Sequence, residues 1–310
     1  MNLKWGGFGI ALILSSSLLG CSDSSSSKSK NTAVMTVDCS EGERPDLSGI
    51  INGKNLNEDS DFAKKTILLA NWSDSSKSSG SLCTGSIIDN DTVLTAAHCV
   101  DSAESSENLE IIFNSNVVCD KAASKVVKRP VKDFGFHKHY NSNTIENDIA
   151  IVVFEGGIPE GRMISKLAAK PLMAKNSKVL AVGYGRTKGY KVEDNRDMRL
   201  RFGWLKAIPD DEGLKQFIKE VNSDVTFTDI KDDSSKLAFD QRDQNGVCAG
   251  DSGGPAFEYQ NGEWLQIGVA SFVSNLGTSA DACGVMSVHT SVAFHKEWIL
   301  KAQSVLRQSK

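Results

Sequence analysis

The chain has 310 residues, of which 35 are basic and 39 acidic, so its formal net charge at pH 7 is −4. This balance excludes the strongly basic surface that nucleic-acid binding requires, and we expect no nucleic-acid partner. Hydrophobic residues make up 40% of the chain, which is ordinary for a globular protein and fits a soluble enzyme and a binding domain equally well.

The first 20 residues are typical of a secretory signal peptide. Lys4 gives a positive start, and the apolar run over residues 5–14 is too short to span a bilayer as a stable helix. Residues 18–21 (Leu-Leu-Gly-Cys) resemble a bacterial lipobox, in which the cysteine is lipidated and becomes the mature N-terminus. We therefore expect an exported lipoprotein anchored to a membrane through Cys21, periplasmic or on the cell surface, or secreted if the anchor is shed. The alternative is an ordinary signal peptide in which this cysteine is incidental.

Residues 21–49 are expected to form a tether and a propeptide ahead of one domain over residues 50–310. Residues 22–30 are almost all Ser, Lys and Asp, so they cannot bury apolar surface and are expected to be flexible. From residue 50 onward, short apolar runs are separated by Gly, Asn, Asp and Ser, which favours an all-β barrel or sandwich, as one unit or two fused barrels. These runs are residues 66–70, 85–88, 91–95, 149–154, 179–182 and 265–271.

Helical periodicity occurs near the end of the chain. Apolar residues at helical spacing predict a C-terminal helix that packs on the domain. Its apolar positions are Val292, Trp298, Ile299, Ala302, Val305 and Leu306. A second, short helix is expected over residues 213–221.

Three short segments follow one another in the order His, Asp, Ser. They are residues 95–99 (Thr-Ala-Ala-His-Cys), 147–150 (Asn-Asp-Ile-Ala) and 250–255 (Gly-Asp-Ser-Gly-Gly-Pro). Each alone is most simply a packed histidine, a turn or a glycine-rich loop, but their occurrence together in this order is highly specific. Together they resemble the signature segments of the chymotrypsin/trypsin family, and residues 137–144 resemble the loop that precedes the catalytic aspartate of that family.

The resemblance extends from about residue 50 to about residue 302, and it implies both a fold and an activity. The implied fold is all-β, with two six-stranded antiparallel Greek-key barrels and a C-terminal helix. The implied activity is that of a serine endopeptidase that acts on protein or peptide substrates through an acyl-enzyme intermediate. We expect it to be monomeric and to need no cofactor or metal.

The resemblance assigns the catalytic triad to His98, Asp148 and Ser252. A serine hydroxyl is a poor nucleophile at neutral pH, so it needs an adjacent base, and a buried carboxylate fixes the tautomer of that base. The oxyanion that forms needs preorganised donors, which the N–H groups of Gly250 and Ser252 would supply. Ser271 matches the family serine that supports the buried aspartate.

The seven cysteines set up a disulfide framework in an exported protein. If Cys21 is lipidated, six remain, and six cysteines allow 15 pairings, so parity alone does not choose among them. We expect Cys83–Cys99 beside the candidate His and Cys248–Cys283 around the candidate Ser. By elimination Cys39 would pair with Cys119, and the alternative is a free thiol at one of these two positions.

By the family pattern, the base of the primary specificity pocket lies six residues before the nucleophile, at Gly246. Trypsin-like enzymes carry an aspartate there, so its absence argues against cleavage after Arg or Lys. Val273 occupies a pocket-wall position usually held by glycine, with Gly284 as the facing position. We therefore expect a shortened pocket and a preference for small or medium apolar residues before the scissile bond. The alternative is a chymotrypsin-like pocket, if an insertion over residues 275–282 moves Val273 aside.

Residues 50–53 (Ile-Ile-Asn-Gly) resemble the mature N-terminus of the family. Cleavage before Ile50 would free an amine that pairs with Asp251 and orders the oxyanion hole, so we expect a zymogen. Gly49 stands where the family usually has Arg or Lys. The activating protease is then not trypsin-like, or the enzyme cleaves itself.

The remaining histidines give no metal site on sequence grounds. His137 and His139 form a His-x-His pair, but no third ligand follows at a suitable spacing, so both are expected in a surface loop. His289 and His295 are expected to be structural or exposed. Two competing functions stay open at this point, a binding protein on a protease scaffold and an esterase that uses the same chemistry.

Overall fold

A computed structural model describes residues 50–117, 125–174, 177–187, 189–190, 198–224, 235–242 and 245–309. Within these ranges the chain forms β-strands and three α-helices, numbered here in chain order. The strands are β1 Lys54–Asn55, β2 Thr66–Trp72, β3 Gly80–Asp89, β4 Thr92–Thr95, β5 Leu109–Ile112, β6 Lys128–Phe136, β7 Ala150–Phe154, β8 Lys178–Gly183, β9 Arg201–Ile208, β10 Lys236–Asp240, β11 Pro255–Gln260, β12 Glu263–Ser274 and β13 Met286–Ser291. The helices are α1 Asp61–Lys65, α2 Asp211–Val221 and α3 Lys296–Gln308.

The strands form two closed six-stranded antiparallel barrels. The N-terminal barrel has the order β2-β3-β4-β7-β6-β5 and closes through the pairing of β5 with β2. The C-terminal barrel has the order β8-β9-β10-β13-β12-β11 and closes through the pairing of β11 with β8, while β1 adds an edge to β9. The two orders are the same Greek-key order, so the predicted all-β, two-barrel fold is confirmed.

Each barrel encloses its own apolar core, and the predicted apolar runs lie in strands β2, β3, β4, β7, β8 and β12. Strand β7 is buried at every position, as expected for a strand with apolar side chains on both faces. Strand β9 instead alternates buried and half-buried positions over most of its length. Barrel closure leaves these strands without open hydrogen-bonding edges.

Both predicted helices are present and packed. In α3, Ile299 and Gln303 are buried, and Gln303 Nε2 donates to Asp89 Oδ2 at 2.8 Å, so the C-terminal helix lies on the N-terminal barrel. In α2, the side chain of the N-cap residue Asp210 accepts from the Gly213 N–H at 2.7 Å. Its buried face consists of Leu214, Phe217 and Ile218.

Two of the predicted disulfides are present, Cys83–Cys99 and Cys248–Cys283. Cys21, Cys39 and Cys119 lie outside the described residues, as do the signal peptide and Gly49. Among the described residues, no helix combines the length and the apolar character needed to cross a membrane.

Candidate active site

His98 and Asp148 are brought together by two neighbouring strands. His98 lies in a one-turn 3₁₀-helix, Ala97–Cys99, directly after β4, and Asp148 lies just before β7. Strands β4 and β7 pair with Thr95 opposite Ala150. His98 Nδ1 lies 2.8 Å from Asp148 Oδ2, and the His98 backbone N–H donates to Asp148 Oδ1 at 3.0 Å. The carboxylate therefore fixes both the ring and the backbone of this histidine.

The C-terminal barrel completes the surroundings of Asp148. The Ser271 hydroxyl, on β12, donates to Asp148 Oδ2 at 2.6 Å, and the Thr290 hydroxyl, on β13, donates to the Asp148 carbonyl at 2.8 Å. Asp148 is fully buried. A buried charge needs compensating hydrogen bonds, and here they come from both barrels, so the site lies at their junction.

The charges of the pair shift both pKa values away from their ordinary range. Burial acts to raise the pKa of Asp148, but the His98 charge and the hydrogen bonds from His98 and Ser271 outweigh it, so this pKa is lowered. Burial acts to lower the pKa of His98, but Asp148 outweighs it and raises this pKa, with a smaller contribution from Asp101. At neutral pH the Asp148 carboxyl group is therefore ionised. Its negative charge makes the His98 imidazole a stronger base.

The loop that carries Ser252 packs on β3 and β4, and β4 leads directly to His98. The Thr84 N–H donates to the Ser252 carbonyl at 2.8 Å. A Cβ at Gly253 would overlap the Thr95 hydroxyl and the Thr84 carbonyl, so only glycine permits this close approach, and its φ is +78°. Within the described residues, His98 Nε2 is buried and has no hydrogen-bond partner, so its contact with the serine hydroxyl is not formed in this structure.

The loop around Ser252 presents two backbone donors that no other group uses. Asp251, Gly253 and Gly254 donate their N–H groups to backbone carbonyls. Among the described residues, the N–H groups of Gly250 and Ser252 donate no hydrogen bond. Two unused donors that flank one buried residue form a preorganised pocket for a developing negative charge.

Asp251, which lies between these two donor residues in the chain, is buried. Its carboxylate accepts from the backbone N–H groups of Cys248 at 2.9 Å and Gly185 at 2.8 Å. Burial raises its pKa to about 7, against the lowering effects of these hydrogen bonds and of the Arg201 charge. A Cβ at Gly185 would overlap the carboxylate, so a glycine at this position is what allows the acid to fold inward.

The chain around Ile50 inserts into the C-terminal barrel. Ile50 is fully buried within the barrel core. Ile51 and Gly246 exchange backbone hydrogen bonds of 2.7 and 3.1 Å, which attaches this segment to the loop that leads to Asp251. The structure therefore places both residues predicted to take part in activation in the interior of one barrel.

Comparison with known proteins agrees with the fold. The family model described as trypsin matches residues 64–299, which is most of the chain. The chain belongs to the trypsin family. It is therefore a serine-type endopeptidase, a class of enzyme that hydrolyses peptide bonds.

Three of the similar curated proteins come from animals. Brachyurin of Leptuca pugilator is 27% identical over 227 residues, which cover 70% of this chain and 85% of brachyurin. The CLIP domain-containing serine protease B4 of Anopheles gambiae is 26% identical over 247 residues, and the human transmembrane protease serine 11B is 25% identical over 224 residues. Each match covers 70% of this chain, but only 61% of the Anopheles protein and 48% of the human one.

In this trypsin-family chain, a small cavity adjoins the candidate nucleophile. Its volume is about 10 Å³, roughly the space for one water molecule. It is lined by Val247, Ser252, Ala270, Ser271, Phe272 and Val273. The predicted pocket-wall residue Val273 is thus one of the lining residues.

That Gly284 faces Val273 across the pocket stays a prediction. Val273 on β12 pairs with Ser287 on β13, and Gly284 is the exposed last residue of a 3₁₀ turn before that strand. A bulge in β12 between Ala270 and Phe272 shifts the register, and such shifts are not visible in the sequence pattern. Gly246 does not line the cavity, and a Cβ there would meet the Cys283 carbonyl.

Sequence reasoning missed two groups beside the triad. Thr290 anchors the Asp148 backbone, yet it lies 142 residues away in the chain and belongs to no sequence motif. Asp101 accepts a hydrogen bond from Tyr140 and acts electrostatically on His98. Its position in the turn three residues after the histidine was the one signal for it.

Proposed function

We propose that Ser252 is the nucleophile of this endopeptidase, His98 its general base and Asp148 the group that orients and stabilises the base. The observation that carries the proposal is the 2.8 Å contact between His98 Nδ1 and Asp148 Oδ2, next to the two unused N–H donors of Gly250 and Ser252. These groups are those that acyl transfer to a serine requires.

The reaction would begin with attack of Ser252 Oγ on the carbonyl carbon before the scissile bond, as His98 Nε2 takes the hydroxyl proton. The carbonyl oxygen becomes an oxyanion that accepts from the N–H groups of Gly250 and Ser252. Collapse of the tetrahedral intermediate breaks the C–N bond, and His98 gives its proton to the leaving amine. Water then attacks the acyl-enzyme by the same route, which frees the carboxylic acid and restores the serine.

For the residue before the scissile bond, we propose a small or medium apolar side chain. The cavity beside Ser252 has a volume of about 10 Å³, and Val273 lines it. Among the described residues, none of those that line it is acidic, so an Arg or Lys side chain would find no charge partner among them. A peptide-library digest that shows strong cleavage after Arg or Lys would overturn this preference.

We further propose that cleavage before Ile50 activates the enzyme. The new ammonium group would compensate the buried Asp251 carboxyl group, whose pKa burial raises to about 7. The insertion of Ile50 into the barrel core supports this arrangement. N-terminal sequencing of the purified Ser252→Ala variant tests whether the enzyme cleaves itself, because processing of that variant requires another protease.

Export with a lipid anchor at Cys21 is a separate proposal that rests on the signal-like residues 1–20 and the lipobox-like residues 18–21. A Cys21→Ser variant is expected to lose lipid labelling and to leave the membrane fraction. Retention of that variant in the membrane fraction would contradict lipid anchoring at this residue.

The test of the triad uses processed protein and a fluorophosphonate probe, which phosphonylates an activated serine with loss of fluoride. Wild-type protein is expected to label and to digest casein, and Ser252→Ala is expected to do neither. Labelling without casein digestion, alongside turnover of small esters, would indicate an esterase. A folded, processed wild-type protein that never labels would indicate a binding protein.

A further inference from the structure

Three histidines from two distant parts of the chain meet behind the catalytic aspartate. The ring centroid of His137 lies 5.7 Å from that of His139 and 5.6 Å from that of His295. His137 is half-buried, His139 is exposed, and His295 is buried just before helix α3. These three residues are called the histidine cluster below. The third histidine, absent from the His-x-His motif, is thus supplied by the fold.

The hydrogen bonds of His295 leave one of its ring nitrogens in an unusual environment. Nδ1 lies 3.0 Å from the Ser291 carbonyl oxygen, and Nε2 lies 3.2 Å from Asn147 Oδ1. The Asn147 amide is oriented by its Nδ2, which donates to the His139 carbonyl at 3.0 Å, so its oxygen faces the imidazole. Both ring nitrogens therefore face acceptors, but a neutral imidazole carries only one N–H.

When Nδ1–H donates to Ser291, the lone pair of His295 Nε2 faces a lone pair of Asn147 Oδ1. Either a second ring proton or a metal ion between the two atoms removes this repulsion. A histidine that donates one ring N–H to a backbone carbonyl while its other nitrogen binds a metal is the usual arrangement in metal sites. Two ligands of a tetrahedral zinc ion lie about 3.3 Å apart, close to the observed separation of 3.2 Å.

The other two histidines stand where further ligands would be needed. Two imidazoles on one tetrahedral zinc ion have ring centroids about 5 Å apart, since each nitrogen lies about 2.0–2.1 Å from the metal. The centroid distances of His137 to His139 and of His137 to His295 are within an ångström of that value. His137 Nδ1 accepts from the His139 backbone N–H at 3.3 Å, which leaves its Nε2 for the metal.

The site is not fully preformed. The ring nitrogens of the three histidines do not all lie within 4.8 Å of one another. His139 is exposed, so a change of its rotamer costs little packing and brings its ring toward the other two.

We propose that His137, His139 and His295, with Asn147, form a binding site for a divalent metal ion of the zinc class. Imidazole nitrogens and one amide oxygen suit such an ion. The site is coupled to catalysis because Asn147 directly precedes Asp148 and adopts a positive φ of 52°. Drawing Asn147 and His139 toward a metal shifts the backbone that holds Asp148, so an occupied site lowers turnover. This coupling rests on the proposed role of Asp148, whereas metal binding does not.

The binding test is calorimetric titration of Zn²⁺ into the Ser252→Ala protein, which cannot turn over. We expect one ion per chain, with affinity reduced at least about tenfold by His139→Ala and by His137→Ala. Lys138→Ala, which alters the same exposed loop without removing a ligand, is the matched control and is expected to bind like its parent. His98→Ala is also expected to bind normally, which separates this site from the catalytic histidine. Circular dichroism checks that each variant is folded.

The coupling test measures turnover of the processed wild-type enzyme with added Zn²⁺. We expect kcat to fall, to recover when a chelator is added, and to be insensitive to Zn²⁺ in His139→Ala. Equal zinc affinities of the parent and the histidine variants, or no saturable binding at all, would overturn the proposed site. Normal binding with unchanged kcat would overturn the coupling and keep the site. Activity that needs added Zn²⁺ would overturn the proposed inhibition, whereas saturable zinc binding to an enzyme that is inactive with and without Zn²⁺ would indicate that the triad assignment has failed.

Discussion

Ser271 of the C-terminal barrel donates a hydrogen bond of 2.6 Å to Asp148 of the N-terminal barrel. The carboxylate that orients the candidate base is therefore held by both halves of the molecule. A hydrogen bond to a charged group contributes about 1.5–3 kcal/mol. The relative position of the two barrels is thus expected to affect catalysis directly.

The first prediction concerns this contact. Ser271→Ala removes the hydroxyl donor and leaves one carboxylate oxygen of Asp148 with fewer partners, so kcat is expected to fall about tenfold to a hundredfold, the range that about 1.5–3 kcal/mol represents. Steady-state kinetics on a peptide substrate measures it. Ser304→Ala, on the exposed face of α3, is the control and is expected to leave kcat unchanged. An unaltered kcat in folded Ser271→Ala would show that the contact does not contribute to catalysis.

The second prediction concerns the pH profile. His98 must be neutral to act as a base, so kcat/KM is expected to rise with pH through a midpoint above the ordinary histidine pKa of about 6.5. The direction follows from Asp148 and Asp101, which raise the His98 pKa more than burial lowers it.

Asp101→Asn isolates one of these contributions. Without the Asp101 charge, the imidazolium form of His98 is less stable, its pKa falls, and the acidic limb of kcat/KM is expected to move to lower pH. Glu107→Gln removes a more distant, exposed charge and serves as the control. A limb that stays at the same pH in Asp101→Asn would exclude electrostatic control by this residue.

Strands β12 and β13 show most clearly which structural features could be predicted from the sequence and which could not. The sequence predicts the apolar run of β12, and the family resemblance assigns Ser271. Neither predicts the bulge between Ala270 and Phe272. A bulge inserts one residue and changes which side chains share a face, while the composition of the strand stays the same. After the bulge, the register pairs Val273 with Ser287.

Contacts between segments that are distant in the chain could not be predicted from the sequence either. The order of the His, Asp and Ser segments was enough to identify the family, because those motifs are local. The approach of His295 to His137 is not local, since 158 residues separate them, and it depends on how α3 docks on the N-terminal barrel. Periodicity predicted that this helix exists but not which loop it would meet.

The third prediction concerns the depth of the specificity pocket. Val273→Gly removes an isopropyl group from the wall of the cavity and should admit larger side chains before the scissile bond. We expect kcat/KM for substrates with Phe or Leu at that position to rise relative to those with Ala. Competitive cleavage of a mixed peptide library measures the ratio. Val305→Ala, on the exposed face of α3, is the control, and an unchanged ratio in Val273→Gly would show that another residue limits the pocket.

The last prediction concerns Asp251 in the uncleaved chain. Its folded pKa, raised by burial to about 7, lies above the ordinary value of 3.8. Between these two values the folded state keeps a proton that the unfolded state releases, so the free energy of unfolding falls as pH rises from about 4 to 7. Thermal melting of Ser252→Ala protein is therefore expected to show a loss of stability across this window that the Ser252→Ala, Asp251→Asn double variant lacks.

Cleavage before Ile50 changes this expectation. Pairing with the new ammonium group favours the ionised carboxylate of Asp251, which lowers its pKa, so the pH dependence of melting between about 4 and 7 is expected to weaken in processed protein. If the single and double variants before processing lose stability equally between about pH 4 and 7, a raised Asp251 pKa is excluded. Identical pH slopes before and after processing would exclude the ion pair, because a compensated carboxylate no longer holds its proton across that range.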